Sequence, residues 1–209
     1  MNPMFEKLAA MRLVPVIVIK DVSKAVPLAK ALCEGGLPCA EVTLRTPQAA
    51  DAIRAIADAM PQMLLGAGTV LTPAQVDIAV NAGAKFIVAP GLNPEVVKYC
   101  QSINMPVLPG VCTPSEVEQG LALGLEALKF FPAEAAGGVN MLKALSGPYG
   151  NVKFMPTGGI TQKNLQEYLA IKSVFACGGS WMVKDDLIAA GDFAAITELT
   201  REAVKLLPS

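Results

Sequence analysis

Short β-branched runs that end in Gly, Pro or Thr alternate with longer Ala/Leu-rich segments of helical period along the whole chain, and this alternation restricts the fold more than any other feature. The strand candidates are Val14 to Ile19, Cys39 to Leu44, Met63 to Gly68, Phe86 to Gly91, Pro106 to Val111, Ala127 to Pro132, Val152 to Gly159 and Ser173 to Ser180. Helix starts lie between them at Ser23, Thr46-Pro47, Thr72-Pro73, Asn93-Pro94 and Thr113-Pro114. A capping side chain followed by Pro at the first helical position is a start signal, because Pro needs no amide partner there. Further helices are expected near Gly138 and Thr161 and from about Asp192 to Leu206, while Gly35-Gly36, Gly83 and Gly124 stand where helices stop.

Strands alternating with helices imply a parallel sheet. Eight such units in 209 residues leave roughly 26 residues per unit, which fits a small (β/α)8 barrel. An open doubly wound sheet normally has fewer strands, and for a dinucleotide it needs a GxGxxG turn that this chain lacks. The expected fold is therefore α/β: one (β/α)8 TIM barrel domain over residues 1–209, with Phe5 to Met11 as an extra helix before the first strand.

Composition narrows the chemistry. The chain has no histidine, which removes Ser-His-Asp and Cys-His nucleophiles, His-carboxylate zinc sites and imidazole proton carriers. With 17 basic and 18 acidic residues, no excess positive charge is present to wrap a nucleic acid. The five cysteines form no CxxC pair and lie in apolar stretches, as free thiols in a reducing cytosol do. The first twenty residues lack a secretory pattern, and no apolar run approaches the ~20 residues of a membrane span. A cytoplasmic protein with no membrane or nucleic-acid partner is expected.

Three features do not suit a core. In AEVTLR, Glu41, Thr43 and Arg45 share one face and Ala40, Val42 and Leu44 the other. If the apolar set packs on helices, the polar set points into the barrel. A structural ion pair or a solvated edge would give the same pattern. Lys129 interrupts the apolar run ALKFFP. A snorkelling stem is the bland explanation, and a Schiff-base nucleophile is the chemical one. Thr157-Gly158-Gly159 and Gly178-Gly179-Ser180 end the last two strands, where barrel enzymes bind phosphate through exposed amides, although glycines also simply punctuate turns. Asp185-Asp186 reads as a solvated loop and Trp181 as packing.

The set EVTLRT (41–46), GAGTV (66–70), APG (89–91), KFFPAE (129–134), PTGGI (156–160) and GGSW (178–181) closely resembles the 2-keto-3-deoxy-6-phosphogluconate aldolase family, class I aldolases of the Entner-Doudoroff pathway. The resemblance runs from about Val14 to Trp181. It implies Lys129 as the Schiff-base lysine and Glu41 as general acid/base. Arg45 with Thr69 would hold the pyruvate carboxylate, and Pro90, Phe131 and Thr157 would line that pocket. Gly158, Gly159, Gly179 and Ser180 would bind phosphate. It further implies a homotrimer with no metal or organic cofactor, acting on a small phosphorylated 2-keto acid and also on 4-hydroxy-2-oxoglutarate, which yields pyruvate and glyoxylate. The alternatives are a galactonate-epimer aldolase, another phosphate-binding barrel that abstracts a proton through Glu41, and a non-catalytic phosphosugar-binding barrel.

Overall fold

Parallel strands cannot be joined by tight hairpins, so each β-branched run must hand over to a crossover before the chain re-enters the sheet. The computed structural model of the chain describes residues 1–208 and follows that succession. Helix α1 (Pro3–Met11) precedes β1 (Leu13–Ile17), which is followed by α2 (Ala25–Glu34), β2 (Cys39–Thr43), α3 (Ala49–Ala59) and β3 (Leu64–Gly68). Then come α4 (Pro73–Asn81), β4 (Phe86–Val88), α5 (Pro94–Ser102), β5 (Val107–Leu108), β6 (Gly110–Val111) and α6 (Pro114–Ala122). The remainder is β7 (Ala127–Phe130), α7 (Gly138–Ser146), β8 (Lys153–Pro156), α8 (Leu165–Leu169), β9 (Cys177–Gly179), α9 (Asp185–Ala190) and α10 (Phe193–Lys205).

Every strand pairing is parallel. The strands form two curled sheets, one in the order β5-β4-β3-β2-β1-β9 and one in the order β6-β7-β8. The predicted run from Pro106 to Val111 is split at Pro109, which has no amide to give to a ladder. Its carbonyl still accepts from Lys129 N at 2.9 Å. At the far side, isolated parallel bridges join Phe154 to Val174 and Thr157 to Gly178. The predicted strand from Ser173 shortens to β9 because Val174 makes only that one bridge.

Alternation along the strands divides the apolar residues into two clusters. Ala40, Val42, Leu128 and Phe130 belong to the large layer between strands and helices. Val14, Cys39, Phe86, Leu108, Ala127 and Met155 form a second cluster with Phe5 and Leu8 of α1. The ring of Phe5 stands 6.3 Å from that of Phe175, so α1 seals the N-terminal ends of the strands. Arg12 ends α1 with φ 60, and its guanidinium donates to Leu169 O at 3.1 Å and Phe175 O at 3.3 Å. Among the described residues no helix is long and apolar enough to cross a membrane.

The side chains of Thr72, Asn93, Thr113 and Asp192 cap α4, α5, α6 and α10. Three other predicted starts are displaced. Asp21 rather than Ser23 caps a 3-10 turn at Val22–Lys24 ahead of α2. Thr46 donates its hydroxyl to Ile19 O at 2.5 Å, so α3 begins at Ala49 with no side-chain cap. Asn164, not Thr161, precedes α8. Asp185 and Asp186 are not a loop but the first turn of α9, where carboxylates oppose the positive helix end.

Thr113 and Glu116 form a complete capping box. Burial works against the Glu116 carboxylate, but donation from Cys112 N, the Thr113 hydroxyl and Thr113 N holds its pKa below the usual carboxylate range. Thr113→Ala should lower stability by about 1 kcal/mol in urea denaturation at neutral pH. Because Glu116 titrates lower folded than unfolded, its contribution is complete above the unfolded pKa and disappears as pH falls through the folded one. The difference between Thr113→Ala and the wild type should therefore narrow in acid, and a difference independent of pH would contradict the box.

Candidate active site

With Ala40 and Val42 packed in the helix layer, the pleat turns Glu41 and Thr43 to the concave side of β2, where both are buried. The Thr43 hydroxyl donates to Ile17 O at 3.0 Å. On β7, Leu128 and Phe130 occupy the helix layer in the same way, which turns Lys129 inward. The two charged side chains meet there: Lys129 Nζ lies 3.3 Å from Glu41 Oε1, with Lys129 4% and Glu41 1% exposed. Gly68 makes the contact possible, since a methyl group on it would occupy the position of the Glu41 carboxylate. Glu41 Oε2 is buried and has no hydrogen-bond partner among the described residues. A buried carboxylate oxygen without a donor is uncommon, and here it presents an acceptor to a proton-bearing group.

Lys129 Nζ also stands 5.1 Å from the centre of the Phe131 ring. Phe131 in turn lines a cavity of about 310 Å³ together with Arg45, Thr157, Gly158, Gly159, Gly179 and Ser180. The pair thus lies behind the aromatic wall of the cavity. Gly158 and Gly159 take φ of 103 and 80, a left-handed backbone that side-chain-bearing residues rarely adopt. Gly178 lies so close to Thr157 that a methyl group there would overlap the threonine side chain.

Two expected residues join the site indirectly. Thr69 is held by Arg45, whose Nε donates to its Oγ1 at 3.1 Å, and its φ of 57 is unusual for a β-branched residue. Pro90 packs its carbonyl against Gly110, the register partner of Lys129, and is not on the cavity wall. Asp185 is solvent-exposed, as read from sequence, while it borders the cavity and pairs with Lys20 at 2.7 Å. Trp181 packs against the core, as read.

Among the described residues no group of three or more His, Cys, Asp or Glu comes together. All five cysteines are free. Burial pushes the Cys39 thiol up to about 12 and the Cys100 thiol up to about 11, so neither is a ready nucleophile. What the site offers is an amine and a carboxylate in contact, below a cavity that carries one guanidinium and a turn rich in exposed amides. That set can capture a carbonyl compound bearing anionic ends and move a proton beside it.

The profile of the KDPG and KHG aldolase family matches residues 4–199. A KHG/KDPG aldolase of Escherichia coli is 52% identical over 192 residues, 92% of this chain and 90% of the relative. A 2-dehydro-3-deoxy-phosphogluconate aldolase of Haemophilus influenzae is 48% identical over 97% of this chain and 95% of the relative. The crystal structure of a KDPG aldolase from Legionella pneumophila, with pyruvate captured at low pH as a covalent carbinolamine intermediate, superposes with a TM-score of 0.93 at 46% identity. That match covers 96% of this chain and 98% of the other.

Gly68→Ala places a methyl group where the Glu41 carboxylate sits. It should lower stability by about 1–3 kcal/mol, the scale of overpacking a filled interior, as read by denaturant unfolding. An unchanged midpoint would mean that the carboxylate has a second seat.

Proposed function

This chain belongs to the KDPG and KHG aldolase family, and from that premise we propose how its residues divide the work. The protein is a class I Schiff-base aldolase that cleaves 2-keto-3-deoxy-6-phosphogluconate (KDPG) to pyruvate and glyceraldehyde 3-phosphate. It also cleaves 4-hydroxy-2-oxoglutarate (KHG) to pyruvate and glyoxylate. The observation that carries the assignment of roles is the buried contact between Lys129 and Glu41 at 3.3 Å.

A proton passed from Nζ to Oε1 within the pair leaves the free amine that attack requires. Lys129 adds to the C2 ketone. The protonated Glu41 gives its proton to the carbinolamine hydroxyl so that water leaves and Glu41 is again a carboxylate, and the iminium nitrogen becomes an electron sink. Glu41 takes the proton of the C4 hydroxyl, the C3-C4 bond breaks, and its electrons move to the nitrogen to form an enamine as the aldehyde departs. Glu41 returns the proton to C3 of the enamine, and water hydrolyses the iminium to release pyruvate and restore the amine. The orphan oxygen of Glu41 supports this assignment, because it is an acceptor with no other occupation.

In this reading Arg45 and Thr69 hold the keto-acid carboxylate, with Phe131 and Thr157 beside it and Pro90 behind, packed on Gly110 next to Lys129. Gly158, Gly159, Gly179 and Ser180 receive the phosphate. Their position on one cavity with Arg45 supports a substrate anionic at both ends. We also read the two sheets as one eight-stranded barrel, supported by the single residue between β5 and β6 and by the bridges that join the β8 side to the β9 side. A homotrimer in the cytosol completes the reading. The free thiols fit a reducing compartment.

Borohydride reduction in the presence of pyruvate should fix a single adduct, and peptide mass spectrometry should find it on Lys129. Lys129→Arg should fold without forming it, since guanidinium cannot make an imine under these conditions. An adduct mainly on Lys20 or Lys153 would remove Lys129 from the role.

A further inference from the structure

Tyr168, on α8, is fully buried, and its phenol donates a hydrogen bond to the carboxylate of Glu134 in the loop after β7. Burial, followed by this hydrogen bond and the charge of Glu134, raises the phenol well above its ordinary range, so it stays a donor. Glu134 is otherwise exposed, and a surface carboxylate tied to a buried phenol is confined to one arrangement. In that arrangement its stem lies against Gly159: a methyl group built there would meet Glu134 Cγ at 2.5 Å and Cβ at 2.7 Å.

Main-chain bonds fasten the same two segments. Ala133 N donates to Thr157 O at 2.8 Å and Glu134 N to Gly158 O at 3.0 Å. On the other side, Asn164 Nδ2 donates to Gly159 O at 3.1 Å. Gly158 and Gly159 have no side chains to select their left-handed conformation, so the turn must take its shape from what packs on it.

We infer that Glu134 and Tyr168 are positioning residues for the anion cradle: the phenol anchors the carboxylate, and the Glu134 stem braces the Gly158-Gly159 turn so that its amides face the phosphate of the substrate. This rests on the phosphate-binding assignment given above. Neither residue takes part in carbon chemistry. The run from Lys129 to Glu134 then carries the reacting amine at one end and the brace at the other. One strand end therefore fixes the span between the ketone and the phosphate, a specificity device for phosphomonoesters of a set length.

The test compares Glu134→Ala, Tyr168→Phe and Glu134→Gln on KDPG and on KHG, which has no phosphate, with Ser180→Ala reporting the cradle itself and inorganic phosphate as a competitive probe. Glu134→Ala and Tyr168→Phe should raise KM for KDPG about tenfold, the scale of one lost charge-assisted hydrogen bond. Inhibition by inorganic phosphate should weaken in parallel. Turnover of KDPG should stay within about threefold and KM for KHG within about twofold, because binding lost at the phosphate alone is not shared by KHG. Glu134→Gln keeps the stem and an acceptor, so it should restore KM to within about threefold of the wild type. Equal changes on both substrates would make the pair a fold element only and overturn the inference. So would an unchanged KM for KDPG in Glu134→Ala when Ser180→Ala raises it. If Ser180→Ala and inorganic phosphate also leave KDPG untouched, the cradle assignment falls and the inference falls with it.

Discussion

An amine and a carboxylate taken out of water lose hydration that their mutual attraction restores only when every remaining polar atom is also satisfied. Among the described residues nothing donates to the second carboxylate oxygen of the Lys129–Glu41 contact, so the chain by itself does not meet that condition. A buried ion pair of this kind is weak evidence for stability, because desolvation offsets much of the attraction. The surrounding structure nevertheless accommodates it at several points: Gly68 clears the space for the carboxylate, Gly110 pairs beside Lys129, and the Phe131 ring covers the amine. An incompletely satisfied charge pair kept in place by its neighbours is what a reaction that moves protons requires.

The rest of the architecture serves to keep those two side chains on one surface. Alternation along β2 and β7 sends Val42, Leu128 and Phe130 to the helices and leaves Glu41 and Lys129 no other direction. The second apolar cluster, closed by Phe5 and Leu8, fills the concave side at the N-terminal strand ends and confines polar chemistry to the opposite ends. There the glycines of the last two strand ends supply bare backbone, and Arg45 supplies the positive charge.

Parity and local capping were legible in the sequence because both depend on neighbours in the chain. Glu41 and Lys129 stood out as charges at positions whose flanking residues demand a buried strand, and Thr72, Asn93 and Thr113 cap the helices their spacing implied. Ser23 and Thr161 gave way as helix starts to Asp21 and Asn164 close by in the chain, whereas the other misses come from competition by partners distant in sequence. Thr46 is diverted from its helix by the carbonyl of Ile19, and Asp185 is drawn to Lys20. Tyr168 and Glu134 are 34 residues apart, so no local pattern announces their bond. Pro109 is the exception, since a proline inside a predicted strand was itself the signal for the break.

In the proposed mechanism Lys129 makes the bond to carbon and Glu41 moves the proton at carbon. Exchange of the pyruvate methyl protons with deuterated water, followed by NMR, separates the two roles because it needs both the imine and the base. In Glu41→Gln, some pyruvate should still be trapped on Lys129 by reduction, more slowly because the internal acceptor of the Nζ proton is gone. Methyl exchange should fall by about 100-fold or more, the usual scale of a lost general base. Exchange at the wild-type rate in that variant would remove Glu41 from the base role.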